Sequence, residues 1–362
     1  MLTGKLHVLV AFDWGDEIDL ERVRQLVPAQ VHALPRRRRT PTSIAYQPPP
    51  LQLELSPIAL EMPQCGSVQA TVTATLFDFN AISVALRLPL QYTAEQLLQL
   101  AGWLADPAAI VDRVRVAVQP LFEHLKPAMR DPKWDPQFSE EYVVFELAPG
   151  QLPLPATLLD PAQPEAAWLA GLVRLETAPL SPQEITEALR LSLSYSPEDL
   201  FVADWTAAVL IDRECGETLE VIEFANLQLL EFRHIDTRLD GSLAEAYRLV
   251  HSTTQSRLPF WRSFMRPLRW LGEMKVEANG LFERTGNTLK LVGDPYLARV
   301  YRLLSARFGL ETWQRSIEHS LHVAEEVYSV VSDQATALRT EFLEVLVVLL
   351  ILIELVVAFV KH

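Results

Sequence analysis

The feature that most constrains this chain is the segment near its end, Phe342-Leu343-Glu344-Val345-Leu346-Val347-Val348-Leu349-Leu350-Ile351-Leu352-Ile353-Glu354-Leu355-Val356-Val357-Ala358-Phe359-Val360. Only Glu344 and Glu354 interrupt its apolar character. As a helix the run rises about 28 Å, close to the hydrocarbon thickness of a bilayer. It predicts a single C-terminal transmembrane helix, a tail anchor with the bulk of the chain on the cytoplasmic side. Phe342 and Glu344 stand at one edge and Phe359 at the other, where acids and aromatics reach the headgroups. Glu354 lies deeper, and a carboxylate there costs on the order of 2.5–3.5 kcal/mol. Each Leu, Ile, Val or Phe near the centre contributes roughly −0.3 to −0.6 kcal/mol in the other direction. Two alternatives stay open from the same residues. One is a soluble homo-oligomer that buries the tail in its core, and the other an ion-transport-like membrane oligomer with Glu354 facing water.

Upstream the pattern changes without a helix breaker. Ile317, Leu321, Ala324, Tyr328, Val331, Ala335, Leu338, Phe342 and Val345 recur at alternating four- and three-residue steps, with no Pro or Gly before the apolar run. That is a heptad seam. Asp294-Pro295 supplies an N-cap and a first-turn proline. Leu297, Val300, Tyr301 and Leu304 then carry a helical stripe. The expectation is an antiparallel, coiled-coil-like hairpin: a helix over 294–308, a turn at Gly309 and a long helix from about Glu311. The seam also suits a parallel homo-oligomer.

With 362 residues, 49% hydrophobic and 22% charged, the chain has the profile of a folded protein with room for two domains. Its net charge of −14 argues against nucleic acid or anionic lipid as a bulk electrostatic partner. Cys65 and Cys215 stand far apart with no CxxC, which fits a reducing compartment and not a structural zinc site. Leu6–Phe12 is too short for a signal peptide and is followed by Asp13, Asp16 and Glu17, so it reads as a buried first strand. The one dense positive run, Arg36-Arg37-Arg38-Arg39, sits between Pro35 and Pro41. It is a candidate loop for an anionic partner, or else a solvated run that pairs with the chain's own acids.

Strand periodicity dominates the first half. Leu51–Leu55, Val68–Leu76, Ala81–Leu88 and Tyr142–Leu147 alternate or run apolar, with a turn at Asp78-Phe79-Asn80. Asp19 caps a short helix over Leu20–Val27. Thr93 with Gln96 forms a capping box for Ala94–Leu104, a second helix follows Pro107, and Ser181 opens a third after Pro-rich 152–164. Short strands are expected at Leu193–Tyr195, Asp199–Ala203 and Ala207–Ile211, and helix from about Glu217 onward. The fold class is α+β, a mostly antiparallel sheet with packed helices, ferredoxin-like in one form. The expected partition is an α+β domain over 1–150, a linker over 151–164 and short elements over 165–215. A helical region over 216–341 and the membrane helix over 342–360 complete it. The Arg-rich aromatic stretch Leu258–Trp270 is a candidate surface contact, or a helix turn packed by its own aromatics.

No motif marks a reaction. GxGxxG, GxxxxGK[ST] and GxSxG are absent, and none of the eight histidines lies in a catalytic pattern. His319 with His322, and Glu231 with His234, have partial metal-ligand spacing without the further ligands a site needs. No catalytic, cofactor-binding or metal-binding residue is assigned, and no cofactor is expected.

Leu343-Glu344-Val345 with Leu352-Ile353-Glu354, and Leu289–Tyr301, resemble the C-terminal part of the "required for meiotic nuclear division" family. Phe77–Val84 is loosely similar to a strand of that family, with Asn80 in place of a glycine. The resemblance covers mainly the last 75 residues. It implies a membrane-associated protein with no catalytic residues to carry over. Together these readings predict a non-enzymatic, membrane-tethered scaffold or assembly factor that self-associates through its C-terminal helices. Its partners would be the bilayer, further copies and an unidentified protein.

Overall fold

In the stretch Leu2–Asp13 (β1), Leu6, Val8, Val10 and Phe12 alternate with Lys5, His7, Leu9 and Ala11. Because side chains of a strand point to opposite faces in turn, one face is wholly apolar and the other mixed. The computed structural model, which describes residues 1–27, 31–32, 48–79, 81–253, 271–283 and 294–360, sets this strand at the centre of a nine-stranded sheet. Two compact units are present: Met1–Glu231 with Arg284–Glu311, and Phe232–Glu283 with Thr312–His362.

The sheet belongs to the first unit. Its strands, besides β1, are Val31–His32 (β3), Leu51–Met62 (β4), Gly66–Leu76 (β5), Ala81–Tyr92 (β6), Glu140–Leu147 (β8), Ser192–Leu193 (β9), Leu200–Ala203 (β10) and Ala207–Ile211 (β11). They lie in the order β3-β4-β5-β6-β1-β8-β11-β10-β9. Glu17–Ile18 (β2) and Met129–Arg130 (β7) form a separate small pair. All pairings are antiparallel except β8 with β11. Strands joined by short turns pair antiparallel. The β8-to-β11 connection carries three helices and two strands, long enough to return parallel. The nine-strand order is not that of a four-stranded ferredoxin-like sheet, so that form of the expectation is corrected.

Helices cover the apolar face. Ala94–Leu104 (α2), Ala108–Leu125 (α3), Pro164–Arg174 (α5) and Pro182–Leu189 (α6) bury Leu97, Leu100, Val114, Val118, Leu169 and Ile185 against Leu6, Val8, Val10, Leu86 and Phe145. The capping box of α2 is present in both directions between Thr93 and Gln96. Asp19 caps Leu20–Leu26 (α1) by accepting from Arg22 N, and Ser181 caps α6 by accepting from Glu184 N. Pro155–Leu158 (α4) falls in the Pro-rich stretch, with Leu158 fully buried. At one end of the sheet Phe12, Trp14, Phe122 and Trp134 meet edge to face or tilted, with centroids 5.3–6.1 Å apart, geometries aromatic quadrupoles favour.

The opposite face carries the first part of Gly216–Thr253 (α7) and Pro295–Arg307 (α9). Phe308 packs edge-on against Tyr142 at 5.3 Å, and α9 contacts β9 and β10. Asn226 Nδ2 donates to the Glu140 carbonyl at 3.3 Å, and Tyr301 OH donates to Gln228 Oε1 at 2.7 Å. Asp294 caps α9 through Tyr296 N and Leu297 N. The packing partner of α9 is therefore the sheet. The first unit is a helix–sheet–helix sandwich.

The second unit is helical. Its parts are α7 from Phe232, residues 271–283 (α8), and Leu310–Val360 (α10) from Thr312. Gly309, at φ 62, makes the turn into α10 that a side chain would strain. Phe232 stacks on Phe282 at 6.1 Å, Arg238 holds Glu277 at 2.8 Å, and Lys275 holds Glu325 at 2.5 Å. Leu239, Met274, Leu281, Ile317, Leu321 and Ala324 are buried.

Among the described residues no helix is long and apolar enough to cross a membrane. The expected transmembrane helix, tail anchor and single-pass placement are corrected on that finding. The apolar run is the far end of a helix that begins at Leu310 among polar residues.

Candidate functional site

On the mixed face of the sheet the register brings polar residues into rows. Gln52, Thr75 and Ser83 lie opposite one another across β4, β5 and β6, as do Glu54, Thr73 and Ala85. The next step along β6 carries Arg87, opposite Thr71 on one side and His7 of β1 on the other. Lys5 lies opposite Glu146 of β8. The first turns of α7 run beside this patch, presenting Leu219 and Glu223, with Cys215 just before the helix. The groove between them measures about 520 Å³, within the range of small-molecule sites.

Its fixed chemistry begins with Glu146. His7 Nε2 is hydrogen-bonded to Glu146 Oε2 at 2.7 Å, and Lys5 Nζ donates to Oε1 at 3.1 Å. Burial by itself would raise the Glu146 carboxyl. The bonds and charges of His7 and Lys5 outweigh it and hold the group below its ordinary value. Glu223 is the opposite case: burial raises it, and the Ser83 and Thr75 hydroxyls and the Arg87 guanidinium beside it only partly offset the rise. The Cys215 thiol is pushed up to about 12, first by burial and then by Glu146 and Asp212. A thiol held neutral at pH 7 is a poor nucleophile. Buried polar atoms without a hydrogen bond include Glu223 Oε1 and Thr73 Oγ1. Among the described residues no group of three or more His, Cys, Asp or Glu side chains is arranged to hold a metal ion.

A second polar set lies at the turn between β10 and β11. Asp204 is fully buried, 2.7 Å from Arg174 Nε and 3.4 Å from Arg307 Nη1. Arg307, itself buried, donates through Nε to the Ala203 carbonyl and through Nη2 to that of Glu187, both at 3.2 Å. This set joins α5, α6 and α9 to the sheet.

The residues singled out from the sequence fall elsewhere. Ile317, Leu321 and Ala324 of the seam are buried within the helical unit. The side chains of Tyr328, Val331, Ala335, Leu338, Phe342, Glu354 and Phe359 lie outside the described residues, although their backbone is helical. Glu344 is exposed, and Leu343 and Leu346 to Ile353 are each 40–60% exposed. Arg36, Arg37, Arg38 and Arg39 lie outside the described residues, as does Leu258–Trp270. The groove escaped sequence reasoning because its residues come from five strands and a helix far apart in the chain. The alternation Leu51-Gln52-Leu53-Glu54-Leu55 was the one local sign that a sheet face there is polar.

The fold and its groove thus define a mixed α/β domain built on a nine-stranded sheet, followed by a helical extension. The chain belongs to the family described as "Uncharacterized protein MJ0711, N-terminal domain", which matches residues 3–218. A relative, "Uncharacterized protein MJ0711" of Methanocaldococcus jannaschii, is 25% identical over 195 residues, 53% of this chain and 59% of the relative. The chain matches about three fifths of that relative's length. No solved structure matches. The resemblance to the "required for meiotic nuclear division" family is overturned by these findings. Its main support was the glutamate-bearing apolar run, with Leu289–Tyr301 and Phe77–Val84 beside it, short patterns that unrelated helices and strands can share, whereas the family match covers residues 3–218 and with them the sheet.

Proposed function

We propose that this chain is a non-enzymatic assembly protein that associates with further copies of itself through the apolar part of α10. The observation that carries this is the exposure of Leu343 and of Leu346 to Ile353. Successive residues of a helix are about 100° apart, so these positions cover every direction around the axis. A helix that is apolar all round belongs in an interior. One neighbouring helix covers only a stripe of such a surface, so the arm favours a bundle of three or more chains over a pair. Together the side chains expose on the order of 800 Å², the area one partner buries in a standard interface. A second copy is the favoured occupant because every copy carries the same arm, and most oligomers are symmetric assemblies of identical chains.

The test is the mass of the full chain in solution by light scattering after size exclusion, at micromolar concentration. The expected result is a defined multiple of the single-chain mass, falling to one chain when Leu346 and Leu350 are both changed to Glu. A wild-type chain that stays single, or a double variant that keeps the multiple, overturns the proposal.

A further inference from the structure

The polar groove of the first unit carries a requirement that the chain's own described residues do not meet. Lys5 and His7 are both engaged by Glu146, and Arg213 at its rim reaches Glu198 at 3.4 Å. That leaves Arg87, whose guanidinium lies beside Glu223 of α7, and Glu54 of β4, which stands opposite Thr73. Glu54, Thr73 and Ala85 form one row across three strands. Glu223 descends beside that row against Thr75, Ser83 and Arg87. The methyl group of Ala85 is the floor between them, so the space above it is open. Facing that space, Glu223 Oε1 and Thr73 Oγ1 are buried without a hydrogen bond. Leaving a buried acceptor unmet costs about 1–3 kcal/mol, more when it is charged. Both atoms accept, and a ligand that supplies N–H donors and positive charge would meet both.

We propose that this groove binds a small organic cation, a primary amine or guanidinium on a short aliphatic stem. Its N–H groups donate to Glu223 Oε1, Thr73 Oγ1 and the Glu54 carboxylate. Its stem lies along Leu9, Phe77 and Leu219, which supply the apolar part of the groove wall. The site does not depend on self-association, because every residue it uses lies in the first unit. The raised Glu223 carboxyl adds a consequence. A cation beside it favours the ionised form, so binding draws the carboxyl back down and is coupled to proton release. Burial, the Ser83 and Thr75 hydroxyls and Arg87 set this titration, and Glu54 from the sheet, Glu220 on the same helix and the His7–Glu146–Lys5 set line the same groove.

The experiment is calorimetric titration of the full chain with agmatine and with putrescine, each in two buffers of different ionisation enthalpy, beside the neutral analogue 1,4-butanediol. The expected result is saturable binding of at least one amine and none of the diol. Glu223→Gln and Glu54→Gln should each weaken it about tenfold or more. The buffer dependence should be present in the wild-type chain and lost in Glu223→Gln. Thr73→Val, which keeps the shape and removes the hydroxyl, should also weaken binding if a variant at Glu223 fails to fold. Absence of saturable heat with both amines, equal binding of the diol, or unchanged affinity in the variants overturns the proposal.

Discussion

Arg307 offers a sharp test of what holds the first unit together. It lies at the end of α9 and is 5% exposed. Its Nη1 stands 3.4 Å from Asp204 Oδ1, and its Nε and Nη2 donate to two carbonyls at 3.2 Å. At an effective dielectric constant of 20, a charge pair at that distance attracts by about 5 kcal/mol before desolvation is counted. Arg307→Met keeps the aliphatic stem and removes the charge and every donor. Arg174 Nε, at 2.7 Å, continues to pair with Asp204. The expected loss is therefore about 3–4 kcal/mol, within the usual cost of removing one partner of a buried pair. It should also depend on pH. Burial already raises the Asp204 carboxyl, despite Arg307 and Arg174 beside it, and loss of Arg307 raises it further. An acid whose folded value is raised contributes least once pH has risen through that value. The deficit of Arg307→Met is thus largest near neutral pH and shrinks as pH falls and Asp204 takes up a proton. Adding Asp204→Asn, which needs no cation, should recover part of the loss. The assay is urea unfolding at fixed chain concentration, from pH 5 to 8, because self-association would shift apparent stability. A loss under about 1 kcal/mol, a deficit flat across that range, or no recovery in the double variant would refute the reasoning.

Two further outcomes follow from particular atoms. A Cβ at Gly4 would lie 1.9 Å from the Glu146 carbonyl oxygen, so Gly4→Ala must push β1 and β8 apart. It should cost about 3 kcal/mol or more by thermal unfolding, and a cost within about 1 kcal/mol would show that the two strands yield easily. Cys65 is exposed whereas Cys215 is buried with its thiol pushed up to about 12. A thiol reagent should label one cysteine quickly in the native chain and two in guanidinium. Rapid labelling of both without denaturant would show that the first turn of α7 opens readily.

Much of the first unit was legible because its signals are local. A strand such as Leu51–Leu55 announces itself by alternation, and α2 by a capping box that needs only Thr93 and Gln96 three positions apart. Asp294-Pro295 marked the start of α9 for the same reason. What α9 packs against was not legible, since Leu297, Val300, Tyr301 and Leu304 suit a coiled-coil neighbour and a sheet equally well. The apolar run at the end of α10 misled for a related cause. Hydropathy records that a surface must leave water and is silent on whether lipid or protein covers it.

By itself, then, the sequence determined where many of the helices and strands begin, that the first strands alternate, and that α10 carries an apolar arm. Those properties arise from backbone sterics and side-chain period, which act over a few residues. Only the tertiary structure decided that β1 lies centrally between β6 and β8, that α7 and α9 cover the second face, and that Lys5, His7, Glu54, Arg87, Glu146 and Glu223 share one groove. Pairing between segments dozens to hundreds of residues apart depends on which strand edges and apolar faces fit one another once the chain has collapsed, and no local pattern records that.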